Sequence, residues 1–259
     1  MGQFNSSYTR VAPVFDALWA ADRTGASWLA GLLSRVGRSA FADELPRAPV
    51  LVTGHQTTWG AAEVPLPAPL ALLEHLVEHV TEAQVIASGD IGDVLEQRRR
   101  LARHEPETVR AALAALRRGE RGRRWFVLEG ESKPDAVLEM TDAVLVVEGK
   151  RTERSCTSKT KWMGARSQLL RHMDAATERF PTKPVFGALL VEGDGGADSL
   201  APSDHWLAES AAQCAPAMLD ASLPHRTAKE RAALASRMLG VATWQAVCAD
   251  NAIPWPPAP

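Results

Sequence analysis

The stretch that decides the fold is residues 134–150, which read PDAVLEMTDAVLVVEGK. Two predicted strands, 135–140 and 143–148, are separated only by Thr141 and Asp142, and the second contains the continuous apolar run 143–147. Continuous apolar runs of this length are typical of buried strands. Because only two residues separate them, the sequence predicts a tight β-hairpin. Thr-Asp is not a preferred hairpin turn, so the register of the two strands is the weak point of this prediction.

The register of this hairpin decides which charged side chains meet. A two-residue turn pairs Met140 with Ala143 and places Asp135 directly opposite Glu148. Lys150 stands two residues after Glu148 and therefore projects from the same face of the sheet. Two opposed carboxylates repel each other unless a cation lies between them or one is protonated. A one-residue bulge in the turn would instead direct Asp135 to the far face.

Two acids and one lysine at a strand end suit the hydrolysis of a phosphodiester. In proteins, Mg²⁺ is held by one or two carboxylates, by water and by substrate phosphate. We therefore expect Asp135 and Glu148 to bind Mg²⁺ (or Mn²⁺), and Lys150 to activate or position the attacking water. The simpler alternative is that all three residues are solvated charges at strand ends.

The motif Pro134-Asp135 followed by Glu148-Gly149-Lys150 resembles that of the PD-(D/E)XK nuclease superfamily, which has the restriction-endonuclease-like fold. The core of that fold is a helix, three strands, a helix and a fourth strand. Elements in this order are predicted at 106–118, 124–129, 135–140, 143–148, 162–180 and 185–192. The resemblance implies a single α/β domain whose mixed central sheet is flanked by helices. Its nuclease-like core spans about 106–193, with helical extensions over 1–105 and 194–259.

The same resemblance implies roles within the expected site. Asp135 and Glu148 correspond to the metal-binding carboxylates, and Lys150 corresponds to the catalytic lysine. Many members carry a glutamine on the helix that follows, so Gln168 is expected to orient Lys150 or the substrate phosphate. Members often carry a further glutamate on the first core helix. The candidates for it are Glu63, Glu74, Glu96 and Glu107, of which Glu63 is slightly preferred.

The partner implied by this interpretation is nucleic acid, with DNA as the expected form. The net charge of −2 does not by itself indicate such a partner, so a local basic patch is required. Basic residues flank the site at Arg117, Arg118, Arg121, Arg123, Arg124, Arg151, Arg154, Lys159, Lys161, Arg166 and Arg171. The second half of this group, with Trp162, would contact phosphates and stack a base. The alternative is an ordinary solvated surface.

Two other functions stay open. A catalytically silent nucleic-acid-binding module would keep the same fold, although it has no physical reason to retain opposed carboxylates. The run from His75 to His79 also matches the HxxEH pattern of a zinc peptidase. Helical geometry directs these two histidines away from the apolar stripe of their helix, toward solvent. Cys156 and His172 form no recognisable nucleophile signature.

The composition is that of an ordinary globular chain of 259 residues, 46% of them hydrophobic. Cys156, Cys214 and Cys248 form no CxxC pair, and their sparse number is typical of a reducing compartment. The sequence shows no signal peptide and no apolar run of about 18 residues, so we expect a cytoplasmic protein without a membrane partner. Further helices are predicted at 14–37, 68–80, 93–103, 203–214 and 227–248, with a strand at 49–53.

Overall fold

A mixed five-stranded sheet lies at the centre of the computed structural model, which describes residues 7–36, 57–60, 65–164 and 166–257. The strands are β1 (Thr58–Trp59), β2 (Ala136–Glu139), β3 (Val144–Lys150), β4 (Thr157–Ser158), β5 (Arg166–Ser167), β6 (Val185–Val191) and β7 (Met238–Thr243). The order in the sheet is β1-β2-β3-β6-β7, and β4 pairs with β5 separately. β1, β2 and β3 are antiparallel neighbours, whereas β3, β6 and β7 run parallel.

Helices accompany the sheet along the whole described chain. They are α1 (Ala12–Ala21), α2 (Leu29–Val36), α3 (Leu70–His79), α4 (Glu82–Ala87), α5 (Gly92–Ala102), α6 (Pro106–Arg117), α7 (Gln168–Arg179), α8 (Asp204–Gln213), α9 (Pro216–Ser222), α10 (Ala228–Ser236) and α11 (Trp244–Asp250). A π-helix at Ser7–Val11 precedes α1, and a 3₁₀ turn at Gly196–Asp198 precedes α8. Within the described ranges, none of the helices has both the length and the apolar character needed to cross a membrane. The fold class is α/β, with a mixed sheet flanked by helices.

The hairpin formed by β2 and β3 has the predicted register. Ala136 pairs with Val147, and the ladder continues to the turn without a bulge. The Met140 N–H donates to the Ala143 carbonyl at 2.9 Å, which closes the two-residue turn. The length of the turn determines this pairing, because in a hairpin the number of loop residues fixes the register of the two strands.

Helices cover both faces of the sheet. On one face, Leu145 and Val147 of β3 pack with residues of α1, α2 and α11. On the other face, Val144 and Val146 pack with α7 and with α8, α9 and α10. Every residue of β3 and β6 is consequently buried, which explains their continuous apolar runs.

The helices α3–α6 form a hydrophobic core of their own. Leu72 of α3 packs in it with Leu116 of α6, and Phe126 and Leu128 join them. The predicted strand at 124–129 is therefore wrong, because these residues form turns whose apolar side chains fill the helical core. The edge position beside β2 is taken by β1 instead. Both β1 and β7 lie outside the range predicted for the nuclease-like core, so each predicted helical extension contributes a strand to the sheet.

The predicted helix at 14–37 is divided into α1 and α2 by a turn. Its apolar spacing is helical on both sides, but Asp22 interrupts it. The Asp22 carboxylate accepts hydrogen bonds from the N–H groups of Thr24 and Ser27, at 2.8 Å each. These bonds offer the backbone an alternative to the helical pattern and so end α1.

Two other predicted helices also have different bounds. The predicted helix at 227–248 contains β7, which pairs in parallel with β6, so that sheet pairing overrides the helical periodicity of this segment. The predicted helix at 162–180 begins only at Gln168, where Ser167 caps it after β5. The predicted strand at 49–53 lies outside the described residues.

Gly240 in β7 is a position that does not accommodate a side chain. Its φ is +137°, and a Cβ would lie 2.9 Å from the Val36 carbonyl oxygen at the end of α2. We expect Gly240→Ala to lower the free energy of unfolding by about 1–3 kcal/mol, measured by urea denaturation. Gly31→Ala is the matched control, because no described atom lies within 4 Å of a Cβ at this position of α2. Equal stability of Gly240→Ala and the wild type would contradict the close contact.

Candidate functional site

The four predicted site residues lie close together at one end of the sheet. Glu148 and Lys150 end β3 on the face that α7 covers. Gln168 is the first residue of α7, and Asp135 directly precedes β2. Because β2 is adjacent to β3 and α7 packs against β3, residues that are distant in sequence meet at this end.

A chain of hydrogen bonds joins three of these residues. Lys150 Nζ donates to Glu148 Oε1 and to Gln168 Oε1, at 2.8 Å each. The ion pair is deeply buried, with Lys150 5% and Glu148 2% exposed, so little water screens it. Gln168 is only partly buried and forms the side of the cluster nearest to solvent. The sequence predicted that Gln168 orients either Lys150 or the substrate phosphate, and the structure shows the contact with Lys150.

Burial and charge act in opposite directions on the ion pair. Burial raises the pKa of Glu148, but the adjacent His172 and Lys150 outweigh it and leave this pKa below its ordinary value. Burial likewise lowers the pKa of Lys150, but the neighbouring carboxylates, Glu148 first, leave this pKa above its ordinary value. At neutral pH the cluster therefore holds a carboxylate and an ammonium rather than two neutral groups.

Asp135 lies across the hairpin from Glu148 but stands just outside β2. The observed ladder ends at the pair of Ala136 with Val147, so the predicted pairing of Asp135 with Glu148 is not part of it. Its Oδ2 accepts a hydrogen bond from the Gly149 N–H at 2.8 Å, and the residue is 8% exposed. The carboxylate therefore takes the place of a backbone carbonyl at the end of the ladder. This contact holds it beside the backbone of β3, one residue from Glu148.

Gly149 and Trp244 anchor the end of β3 from the opposite face. A Cβ on Gly149 would lie 2.8 Å from Val11 Cγ2, 2.9 Å from Trp244 Cζ2 and 3.3 Å from Asp135 Oδ2, so this carboxylate oxygen inclines toward the face opposite Glu148. Trp244 Nε1 also donates to the Lys150 carbonyl at 3.3 Å. The glycine between Glu148 and Lys150 is therefore required by packing, and the strand end that presents the cluster is held in place.

Two residues of the cluster, His172 and Ser132, were missed in the sequence. His172 Nε2 lies 3.0 Å from Glu148 Oε2, and its Nδ1 lies 2.7 Å from Ser132 Oγ. The available signal was the spacing of four residues from Gln168 to His172, which places both on one face of a helix. The sequence had suggested only Cys156 as a partner of His172. Burial raises the pKa of the Cys156 thiol to about 12, which favours the neutral thiol over a thiolate nucleophile.

The donor set offers ligands suited to a hard divalent cation. Glu148 Oε2 and His172 Nε2 are buried and face each other at 3.0 Å as an ion-pair contact without hydrogen-bond geometry, and neither has another hydrogen-bond partner among the described residues. A buried carboxylate oxygen with an unused lone pair is a suitable ligand for Mg²⁺ or Mn²⁺. Asp135 is the second predicted carboxylate, but its Oδ2 already accepts a hydrogen bond from the Gly149 N–H. Within the described ranges, no three His, Cys, Asp or Glu side chains are grouped so that they could hold a metal ion. A cation in this cluster would therefore complete its coordination with water and phosphate oxygens.

The further glutamate implied by the resemblance is not found among the described candidates. Glu74 and Glu107 each form an ion pair with an arginine of α6, at 2.6 Å. Glu96 is exposed on α5. Glu63, the preferred candidate, lies outside the described residues.

Acidic partners offset much of the basic surface near the cluster. Ion pairs join Arg117 with Glu74, Arg118 with Glu120, Arg151 with Glu192, Arg154 with Asp194, Lys161 with Asp90, and both Arg166 and Arg171 with Glu129. Trp162 is buried, and Arg98 and Lys161 lie 4.9 and 5.6 Å from the centroid of its ring. The expectation that Trp162 stacks a base is therefore wrong, because protein side chains already cover it. Phosphate contacts by the paired residues would compete with their ion pairs.

His75 and His79 line a surface cavity, and His79 is also exposed to solvent. Their rings are stacked with centroids 4.1 Å apart, and Trp162 and Met163 form the wall of this cavity of about 300 Å³. The predicted direction toward solvent is confirmed for His79, whereas His75 is half-buried beside the segment around Trp162. Burial, and then the neighbouring His79, lower the pKa of His75. In the described part of the chain, no third ligand groups with the two histidines to complete a zinc site.

The cluster at the end of β3 thus combines a buried carboxylate and ammonium with an amide, a second carboxylate and an imidazole. Such a set is able to hold a divalent cation and to donate hydrogen bonds to an anion. Comparisons of this chain with protein-family models, with curated proteins and with solved structures found no match.

Proposed function

We propose that this protein is a metal-dependent nuclease that hydrolyses phosphodiester bonds of nucleic acid, with DNA as the expected substrate. The observation that carries the proposal is the buried chain of hydrogen bonds from Glu148 through Lys150 to Gln168, with Asp135 bonded to the N–H of Gly149 between them. Two carboxylates and one ammonium leave the cluster with a net negative charge. This charge favours a divalent cation, whose remaining charge in turn favours a phosphate.

The order of elements supports a restriction-endonuclease-like form of this α/β fold. β2 and β3 form an antiparallel hairpin, α7 follows, and β6 returns parallel to β3. Two strands, a helix and a strand form the order that the resemblance implies after its first strand. That first strand would be β1, which lies beside β2 in the sheet. The first core helix would then precede β1 and not be α6.

Each side chain of the cluster has a distinct role in the proposed reaction. Asp135 and Glu148 would hold Mg²⁺ or Mn²⁺, which when bound lowers the pKa of a water and offsets charge on the phosphate. Lys150 is an ammonium at neutral pH, so it would donate to the attacking water or to a phosphate oxygen and would not act as a base. Gln168 accepts from Lys150 and keeps the ammonium directed into the cluster. The water oxygen bonds to phosphorus, one P–O ester bond breaks, and the leaving oxygen takes up a proton.

A catalytically silent nucleic-acid-binding module is the second candidate function. One observation favours it: Lys150 and His172 contact both oxygens of Glu148, so the carboxylate is compensated without a metal. A module that only binds gains nothing, however, from burying ionisable side chains at this depth, because desolvation of each charge is costly. We therefore place the nuclease first.

Cleavage assays test the proposal directly. Supercoiled plasmid, single-stranded DNA and RNA are incubated with the protein in Mg²⁺, in Mn²⁺ or in EDTA. We expect strand cleavage that requires Mg²⁺ or Mn²⁺ and that EDTA stops. Glu107→Gln is the matched control, because it removes an exposed carboxylate whose described partner is Arg110 and not a residue of the cluster.

Three other outcomes have separate meanings. Binding of nucleic acid without cleavage in both metals would favour the silent module. Stoichiometric zinc that is lost in His75→Ala would favour the peptidase. Neither binding nor cleavage of any of the three substrates would contradict a function on nucleic acid.

A further inference from the structure

His172 has a defined place on the buried face of α7. It is 2% exposed and stands one helical turn after Gln168, so both side chains face the end of β3. Gln168 contacts Lys150, and His172 Nε2 lies 3.0 Å from Glu148 Oε2. One face of α7 therefore contacts both members of the buried ion pair.

Ser132 determines how His172 is oriented. Its Oγ lies 2.7 Å from His172 Nδ1. The Ser132 N–H donates to the Leu66 carbonyl at 2.7 Å, and the Ser132 carbonyl accepts from the Leu66 N–H at 2.8 Å. When the serine hydroxyl donates to Nδ1, the imidazole carries its proton on Nε2 and directs it toward Glu148.

The contacts from Ser132 to His172 and from His172 to Glu148 involve the same residue types as a nucleophilic serine-histidine-acid triad. Burial excludes the nucleophilic role for Ser132. The residue is 1% exposed, and both of its backbone groups are paired with Leu66. A substrate carbonyl would reach the hydroxyl only if the backbone hydrogen bonds between Ser132 and Leu66 were broken. The remaining role for the hydroxyl is to hold the imidazole.

We propose that His172, oriented by Ser132, is a positioning residue that sets the plane of the Glu148 carboxylate for a divalent metal. This inference rests on the proposed nuclease function. Lys150 contacts Oε1 and His172 faces Oε2, so the carboxylate does not rotate about its last bond without losing a contact. Without His172 the carboxylate is held at one oxygen only, and ordering it around a cation costs more conformational entropy.

Two conservative variants separate the contributions of the two ring nitrogens. In His172→Gln, the amide reaches the position of Nε2 and keeps the contact with Glu148. In His172→Asn, the shorter amide reaches the position of Nδ1 and keeps only the contact with Ser132. We expect Mn²⁺ affinity, measured by calorimetry and by electron paramagnetic resonance, to fall about 10- to 100-fold in His172→Asn and less than about threefold in His172→Gln.

A purely structural role of His172 predicts a different pattern. It would destabilise both variants and leave the Mn²⁺ affinity of the folded protein unchanged, and that result would overturn the inference. If His172→Asn does not fold, Ser132→Ala decides, because it removes only the hydroxyl. We expect Ser132→Ala to lower Mn²⁺ affinity by about threefold or more, and an unchanged affinity would overturn the inference.

The wild-type protein distinguishes a failure of this inference from a failure of the proposed function. If the wild type binds Mn²⁺ and cleaves DNA, unchanged Mn²⁺ affinity in the variants overturns the role of His172 alone. If the wild type neither binds Mn²⁺ nor cleaves DNA, the nuclease proposal fails and the role of His172 fails with it.

Discussion

Lys150→Met is expected to reduce metal-dependent DNA cleavage by about 10²- to 10³-fold or more. Lys150 Nζ donates to Glu148 and Gln168 and is the ammonium of the cluster. Without Lys150, no ammonium donates a hydrogen bond to the negative charge that builds up on the phosphate in the transition state. Both carboxylates remain in place. The rate is measured at saturating Mg²⁺ and DNA. Mn²⁺ affinity is measured separately, so that lost chemistry is distinguished from lost metal.

Two further variants make this result specific. Lys183→Met removes a lysine that pairs with Glu139 at 2.8 Å at the other end of β2, and we expect it to cleave at the wild-type rate. Lys150→Arg keeps the positive charge beside Glu148, but a planar guanidinium does not replace a compact ammonium. We expect Lys150→Arg to fold and to cleave slowly. A Lys150→Met protein that folds and cleaves like the wild type would remove this residue from the mechanism.

Glu148→Gln is expected to lower the free energy of unfolding by about 3–5 kcal/mol and to abolish cleavage that depends on Mg²⁺. Lys150 is 5% exposed, and the variant leaves its buried ammonium beside an amide that does not neutralise it. Urea denaturation at pH 7 measures the loss. Added Mg²⁺ should stabilise the wild type and leave the variant unchanged, because a ligand stabilises only the state that binds it.

The double variant Glu148→Gln with Lys150→Met isolates the ion pair. Each single variant leaves one buried charge without its partner, whereas the double variant removes both charges. We therefore expect the double variant to lose less stability than the sum of the two single variants. Strictly additive losses would show that the two side chains are stabilised by their surroundings and not by each other.

The same pair predicts how stability depends on pH. The pKa of Glu148 is depressed in the folded protein, so its contribution is present above the ordinary value of 4.5 and is lost as the pH falls through the folded pKa. The pKa of Lys150 is raised, so its contribution is present below 10.5 and is lost as the pH rises through the folded pKa. The stability difference between wild type and Glu148→Gln should therefore be constant near neutral pH and shrink in acid.

The hairpin was predictable because all the interactions that define it are local. Only two residues separate its strands, and in a hairpin the length of the loop fixes the register. The observed pairing of Ala136 with Val147 follows from this constraint. Once the register is known, the alternation of side chains places Glu148 and Lys150 on one face. Asp135 lies one residue beyond the last pair of the ladder, so the register alone does not decide where its carboxylate points.

Elements that depend on distant neighbours were not predictable in the same way. Residues 124–129 have the apolar character of a strand, but they fill the core between α3 and α6. β7 lies in a segment with helical periodicity and becomes a strand because β6 offers it a parallel partner. The sequence favoured Trp162 as a residue that stacks a base, but Arg98 and Lys161 cover its ring in the fold.

By itself, the sequence determined which acidic and basic side chains share one face of one hairpin, because alternation along a strand is a local property of the chain. Only the tertiary structure decided that His172 and Ser132 surround Glu148. Their approach depends on the packing of α7 against β3 and on the bridge between Ser132 and Leu66. These contacts join distant segments that are brought together by the burial of apolar surface, so no local sequence pattern predicts them.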